Sequence, residues 1–195
     1  MADLVARSTT RNFSYTGVKG SIQLPSTYSV PRTDEFINFY VGLNGSAGSA
    51  VESGLSYGYR DGKFAWRYFL NNGNSTQFQS VEYPGGLTGG QIVPVQLEII
   101  NGVAYFTAGG QYKLQVAVSN DLRNPAQAKQ VIAAKEEAGG TVTHAKVIFS
   151  NLQVKSAGSF VAWTTSTPTN PPYTNTSRYV LGNTTGVPLT ATLNP

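Results

Sequence analysis

The sequence predicts an all-β fold: a two-sheet antiparallel sandwich of the concanavalin A-like jelly-roll kind, with little or no helix. Its segments are short, rich in β-branched and aromatic residues, and bounded by Gly, Asn, Asp and Pro, which is typical of strands. Two dipeptides, Asp61-Gly62 and Asn101-Gly102, separate long alternating runs and predict two-residue hairpins. Strands do not alternate with helices, which excludes a parallel α/β sheet. The one helical expectation is a short turn over residues 124–129, started by Pro125.

The first hairpin predicts one apolar and one polar face. If Asp61-Gly62 is the turn, Tyr57 pairs with Trp66 and both point to the core, because side chains alternate along a strand. The opposite face then carries small, polar and charged residues, with one aromatic ring, Phe69. The second hairpin repeats this pattern and places Tyr105 on its polar face.

Length and composition predict a single secreted domain. The 195 residues contain no cysteine, which excludes disulfides and thiolate sites, and only 12% are charged. This low charge favours an extracellular location, with Met1-Ala2 as a start that replaces a removed signal peptide. Residues 1–163 are interpreted as the jelly-roll domain. Residues 164–195 are rich in Thr, Pro and Asn, and form either a flexible tail or late edge strands of the same domain.

The patterns of charge and hydropathy indicate which classes of binding partner are expected. The net charge is +4, but the basic residues are scattered, so a nucleic-acid partner is not expected. No stretch is apolar for long enough to span a bilayer. We expect a monomer that binds a carbohydrate or a cell-surface polymer.

Metal chemistry has little support in the sequence. His144 is the single histidine, no metal motif occurs, and a surface or capping role is expected for it. No metal site and no cofactor is therefore predicted. A Ca²⁺ site built from loop carbonyls with Asp34, Glu35 or Asp121 stays open as an alternative to ordinary turn carboxylates.

Two acidic positions are candidates for catalysis. Glu52 lies on the polar strand face among glycines, which leave room for a ligand to approach the sheet. A second acidic pair, Glu136-Glu137, follows a later strand. Two carboxylates across a groove can perform general acid–base chemistry on a glycosidic or peptide bond. The alternative, two solvated surface acids, is favoured on the sequence alone.

The polar face also offers candidate ligand-binding residues. Aromatic rings on a polar face, here Phe69 and Tyr105, can stack on the apolar face of a sugar. Nearby polar groups can bind its hydroxyls. The full predicted set is Glu52, Ser56, Arg67, Phe69, Asn71 and Tyr105. The alternative for the rings is ordinary β-propensity at half-buried positions.

Five segments, in order, resemble the glutamic peptidases of the concanavalin A-like lectin/glucanase superfamily. Residues 39–45 resemble the "WVGIDG" strand-turn of that family, and residues 49–55 resemble its "ILQTGV" strand. Residues 64–69 resemble "YEWYP", residues 89–95 resemble "GDxIxV", and residues 141–151 resemble "FGTVTFTNA". Each motif alone is weak evidence for the resemblance, and the stronger evidence is that all five occur in the same order.

The resemblance implies two curved sheets with ligands on the concave face. It also implies a dyad of a Gln on the "ILQTGV" strand and a Glu before the "FGTVTF" strand. Glu52 occupies the Gln position here, and Glu136 or Glu137 falls near the Glu position. An ionised Glu is only an acceptor, whereas Gln also donates, so this substitution argues against peptidase activity, and a glutamic-peptidase-like or glycoside hydrolase is kept as an alternative.

Three functions follow as hypotheses. The first is a non-catalytic, lectin-like domain that binds carbohydrate or cell-wall glycan on the concave face. The second is an acid-active hydrolase that uses Glu52 with Glu136 or Glu137, and it requires these carboxyls to face each other across a groove. The third is a structural surface or matrix protein with residues 164–195 as a spacer, so that deletion of the spacer leaves folding intact.

Overall fold

The computed structural model describes residues 2–73 and 77–195 as an all-β sandwich; Met1, the expected replaced start, lies outside the described residues. The strands of the seven-stranded sheet are β1 (Ala2–Thr9), β4 (Phe36–Asn44), β5 (Ala50–Arg60), β6 (Lys63–Asn72), β7 (Phe78–Glu82), β11 (Gln127–Glu136) and β14 (Tyr173–Thr174). The strands of the nine-stranded sheet are β2 (Gly17–Gln23), β3 (Tyr28–Ser29), β8 (Ile92–Ile100), β9 (Val103–Ala108), β10 (Tyr112–Ala117), β12 (Thr143–Ser156), β13 (Ser159–Ala162), β15 (Tyr179–Leu181) and β16 (Thr190–Leu193).

The pairings between the named strands are all antiparallel. The seven-stranded sheet runs β14-β1-β11-β4-β5-β6-β7. The nine-stranded sheet runs β10-β9-β8-β2-β12-β16-β15, and β3 and β13 also pair with β12. The predicted two-sheet antiparallel sandwich is therefore confirmed.

Both predicted hairpins are present. Tyr57 pairs with Trp66 in β5–β6, and Ile100 pairs with Val103 in β8–β9. The turn residues Asp61 and Asn101 have positive φ, 55° and 50°, as do the glycines that follow them. This is the backbone that a type I′ turn requires, and Asn, Asp and Gly reach it at low cost.

The core lies between the two sheets and is apolar from both sides. Its largest fully buried side chains include Phe39 of the seven-stranded sheet and Phe106 and Phe149 of the nine-stranded sheet. Alternate residues of each strand point into this layer, so the other alternate set faces outward. The outward set of the seven-stranded sheet is the one that carries Glu52.

The last segment of the chain contributes strands to both sheets. β14 extends the seven-stranded sheet beside β1, while β15 and β16 extend the nine-stranded sheet beside β12. The buried amide of Gln130 also joins this segment to β11: it donates to the Gly186 carbonyl and accepts from the Leu189 N–H, at 2.9 and 2.8 Å.

Two local expectations are wrong. Residues 124–129 are not helical, because Gln127 begins β11 and pairs with Asn44, so sheet pairing overrides the Pro125 signal. The helical turn among the described residues is a 3-10 turn just before it, Asn120–Arg123. His144 has no surface or capping role, since it is only 2% exposed. A bulge in β12 between His144 and Val147 shifts the alternation there and turns the ring inward.

In the described part of the chain, none of the helical structure is long or apolar enough to cross a membrane.

Candidate functional site

A groove of about 510 Å³ lies on the outward face of the seven-stranded sheet. Its floor is made by β4, β5, β6 and β7, and its walls by β1, β11 and the loop before β4. The lining residues are Asp3, Val5, Thr33, Asp34, Glu35, Phe36, Asn38, Tyr40, Glu52, Ser56, Gly58, Tyr59, Arg60, Arg67, Phe69, Asn71, Phe78, Ser80, Ala133 and Ala134. The predicted residues Glu52, Ser56, Arg67, Phe69 and Asn71 are therefore brought together, whereas Tyr105, Glu136 and Glu137 are not part of this lining.

Aromatic rings form a continuous row across the groove floor. Gly54 lies in register between Tyr40 and Phe69, and a Cβ at this glycine would come within 2.6 Å of Tyr40. The missing side chain lets the Tyr40 and Phe69 rings meet, with centroids 5.9 Å apart. Phe69 then contacts Phe78 at 6.0 Å. Phe69 itself is buried, so its ring is not available for the predicted stacking, whereas the neighbouring Phe78 ring is exposed.

Phe78 is an accessible ring of the groove, and the sequence analysis missed it. It is 50% exposed. The Arg60 guanidinium lies over the Phe78 ring at 5.8 Å. The alternation of Phe78, Ser80 and Glu82 was the available signal, but this edge strand can be assigned to a face only once its register with β6 is known.

Glu52 is held in an ion pair with Lys129. Glu52 and Lys129 lie on the two strands that flank Gly42, and both are in register with it. A Cβ on Gly42 would lie 2.6 Å from the Lys129 side chain, so the glycine opens the path by which the lysine crosses β4. The Lys129 Nζ reaches the Glu52 Oε1 at 2.5 Å. The group that faces Glu52 is therefore a lysine ammonium and not a second carboxyl group.

The Tyr40 hydroxyl completes this cluster with a hydrogen bond to Glu52. Burial raises the pKa of Tyr40 well above its ordinary value, and the Glu52 carboxylate raises it further. The phenol therefore stays protonated and donates to the carboxylate. Glu52 is thus engaged from two sides.

We expect Glu52→Gln to lower the free energy of unfolding by about 2 kcal/mol, because it leaves a buried ammonium without its counter-charge. The Lys129 side chain is only 10% exposed, while that of Glu52 is 24% exposed, which keeps the loss below that of a fully buried pair. Urea unfolding near neutral pH measures the change. The double variant Glu52→Gln/Lys129→Met should recover most of the loss. A Glu52→Gln protein as stable as the parent would contradict this account.

The structure does not pair Glu52 with Glu136 or Glu137. Lys129 faces Glu52 from β11, and Glu136 lies seven residues further along the same strand. This spacing places Glu136 roughly 20 Å from the position opposite Glu52. Glu136 also points to the opposite face, where Arg178 binds it with two hydrogen bonds of 2.9 and 2.8 Å. Glu137 forms an ion pair with Lys135. The predicted carboxylate pair is therefore wrong, because strand length and alternation separate its members.

Glu136 instead secures the last segment of the chain. Partial burial alone would raise its pKa, but the hydrogen bonds from Arg178 and from the Val142 N–H prevail, and the pKa of Glu136 is lowered. The carboxylate therefore stays ionised and holds the Arg178 guanidinium.

Two further predicted ligand contacts are corrected. Arg67 lines the groove but is only 4% exposed, and its guanidinium donates to the carbonyls of Gly58, Arg60 and Ala65. It therefore ties the β5–β6 hairpin together. Tyr105 lies on β9, which belongs to the nine-stranded sheet. Alternation along the strand predicted that Tyr105 is on a polar face, but it did not indicate which sheet carries that face.

Of the three loop carboxylates considered for Ca²⁺, Asp34 accepts from the Arg32 guanidinium, and the other two accept from backbone N–H groups. Glu35 accepts from Arg32 and Glu137, and Asp121 accepts from Ala47 and Ser49. The Ser49 hydroxyl lowers the pKa of Asp121, against a smaller opposing effect of burial, and these backbone N–H groups add to the lowering. Among the described residues, no group of three or more His, Asp or Glu side chains is arranged to hold a metal ion.

No protein-family model and no curated protein sequence matches this chain. Solved structures do match it over nearly its whole length. Scytalido-glutamic peptidase with a peptide-based transition-state analogue has a TM-score of 0.58 at 13% identity, covering 98% of this chain and 97% of that one. SCP-B, a member of the eqolisin family of peptidases in complex with the tripeptide Ala-Ile-His, has a TM-score of 0.60 at 14% identity, with the same coverage. The chain therefore has the concanavalin A-like sandwich fold, as the sequence motifs predicted.

Proposed function

We propose that this protein is an extracellular binding domain that holds a carbohydrate chain in the groove without cleaving it. The observation that carries the proposal is the groove lining, in which the exposed Phe78 ring stands among amides and hydroxyls while the central carboxylate is neutralised by a lysine.

The lining suits a sugar because it offers both kinds of contact that a sugar ring needs. Phe78 presents an exposed ring that can cover the apolar side of a pyranose. Asn71, Ser56 and Ser80 line the same groove and can hydrogen-bond to hydroxyl groups. Ligand sites of this type combine aromatic surface with a few polar groups that fix orientation.

The acids of the groove are poorly placed for paired-carboxylate chemistry. Asp3 is in register, through β11 and β4, with Gly58 of β5, six residues along that strand from Glu52. This offset corresponds to roughly 20 Å, whereas glycosidase carboxylates lie about 5–10 Å apart. Asp34 and Glu35 precede β4 at the Asp3 end of the groove. Glu52 therefore has no partner acid within reach in the lining.

Phe78→Ala is expected to weaken glycan binding at least about tenfold, as loss of an aromatic anchor costs about 1–2 kcal/mol or more. The measurement is a glycan array followed by calorimetric titration with the best oligosaccharide. Phe13→Ala is the matched control, since Phe13 is 45% exposed and lies outside the groove lining. No glycan binding above background, or equal losses in both variants, would refute the proposal.

A hydrolase is the second candidate, and one specific observation favours it. The two peptidase structures described above hold a peptide-based transition-state analogue and a tripeptide. An extended peptide could lie in the groove here as well. Incubation of the protein with casein and with a panel of polysaccharides from acid to neutral pH tests this directly. Product release that Glu52→Gln abolishes would establish the hydrolase and reject the non-catalytic domain.

A further inference from the structure

The outward face of the nine-stranded sheet carries a second polar surface, on the other side of the sandwich from the groove. Five side chains stand in register across five neighbouring strands. We call them the cross-strand row: Gln153, Lys19, Gln96, Thr107 and Lys113. Because the register is direct, all five project from the same face.

Two depressions in this surface form one continuous trough. They measure about 440 and 560 Å³ and share Thr107 and Lys113 as lining residues. The first contains the whole cross-strand row, and the second extends past it to Tyr105 and Gln115. The trough therefore crosses the strands over several neighbouring positions.

The row presents two lysines and no acid. Among the described residues, neither Lys19 nor Lys113 has a carboxylate within ion-pair distance, whereas the neighbouring Lys155 is bound to Glu98. The Lys19 ammonium lies over the Phe160 ring at 4.4 Å, which positions it without neutralising it. Three inter-strand spacings separate the two lysine positions, so their charges stand roughly 14 Å apart.

Tyr105 adds an accessible ring to the trough. It is 41% exposed and lies two residues from Thr107 on the same face of β9. This residue was predicted to contact sugar, and its actual position places a stacking surface beside the cross-strand row and not in the groove.

We propose that the trough is a second binding site, for a polysaccharide that carries carboxylate groups. Its two unpaired ammonium groups and the Gln153 amide are donors for carboxylate and hydroxyl oxygens, and its ring can cover a sugar. The Gln96 amide already donates to the Glu98 carboxylate. Two cations are few for a nucleic acid, whose binding depends on neutralising many phosphates. The site is independent of the groove, and its occupation requires no ligand there.

The test uses sodium polygalacturonate as the probe, with affinity electrophoresis and calorimetric titration at about 20 and 200 mM NaCl. Lys19→Gln/Lys113→Gln is expected to weaken binding at least about tenfold, and the higher salt should weaken binding to the parent protein. Tyr105→Ala should weaken binding several-fold. All these positions are solvent-facing, and melting temperatures verify that the variants fold.

Controls separate this site from the groove. Arg11→Gln/Lys63→Gln removes the same net charge from surfaces outside the trough and should leave binding unchanged. Phe78→Ala should also leave it unchanged, even if groove binding is lost. The proposal is overturned if polygalacturonate does not bind, if the trough double variant binds like the parent, or if single-stranded oligothymidylate of equal charge binds as tightly.

Discussion

Removal of residues 164–195 is expected to unfold the protein, in contrast to the spacer hypothesis. Four large side chains of this segment are buried: Tyr179, Val187, Leu189 and Leu193 are between 1% and 6% exposed. Burial of such side chains contributes about 1.5–3 kcal/mol each, or roughly 8 kcal/mol together. A domain of this kind is stable by only about 5–15 kcal/mol in total. Removal of these side chains would therefore cancel most of the free energy of unfolding of the domain.

Circular dichroism, urea unfolding and the dispersion of amide NMR signals measure the outcome. Gln130→Leu is a milder companion variant, because it leaves the Leu189 N–H and the Gly186 carbonyl without their partners. Each unpaired buried group costs about 1–3 kcal/mol, so this variant should fold but unfold at a lower urea concentration. Thr165→Ala/Ser166→Ala, at exposed positions of the same segment, should match the parent. Cooperative unfolding of the truncated chain would show that the segment is a dispensable tail.

Acidification from pH 7 to pH 5 is expected to destabilise the protein through His144. Burial lowers the pKa of His144 to about 4 from its ordinary 6.5, against a small opposing effect of its bond to the Ala145 carbonyl. Its ring packs against Phe39 and Tyr179, and its Nε2 has no partner among the described residues. Above pH 6.5 both folded and unfolded chains hold a neutral ring, so the group has no effect. Below that pH the unfolded chain takes up the proton first, which lowers the free energy of unfolding. The decrease is about 2 kcal/mol at pH 5 and about 3 kcal/mol once the folded chain is protonated as well.

The matched variant is His144→Gln, which keeps a donor of similar size but does not titrate. It should be less stable than the parent near pH 7, yet lose much less stability between pH 7 and pH 5. The comparison stops at pH 5 because Glu136 and Asp121 have lowered pKa values, and their contributions are lost below their ordinary values of 4.5 and 3.8. Equal pH dependence in both proteins would show that His144 is solvated.

The parts of the fold that sequence predicted are those specified locally. The turn at Asp61-Gly62 sets the register of β5 with β6, and alternation then assigns Tyr57 and Trp66 to the core. The turn at Asn101-Gly102 does the same for β8 and β9. The wrong expectation at Pro125 shows the limit, because a local helix signal gave way to pairing with a strand about eighty residues earlier.

The candidate site was predicted only where it depends on a single hairpin. Ser56, Phe69 and Asn71 share the Glu52 face because β5 and β6 alternate in step. The partner of Glu52 is 77 positions away on β11, and no local pattern indicates that Gly42 lets Lys129 cross to it. The same holds for Phe78, whose face depends on a strand pairing with β6 that no turn motif specifies.

The C-terminal strands also bear on how the chain is made. Contacts of Asn170 and Asn175 reach back over 161 to 172 positions to β1, so the first strand gains its outer neighbour only after residues 170–175 have been synthesised. Until then, β1 and β12 each have an unpaired edge, which is a template for association with other chains. Such distant pairings also form slowly. A nascent chain that has not yet added residues 164–195 would therefore expose these edges, and a chaperone that covers them would limit its association with other chains.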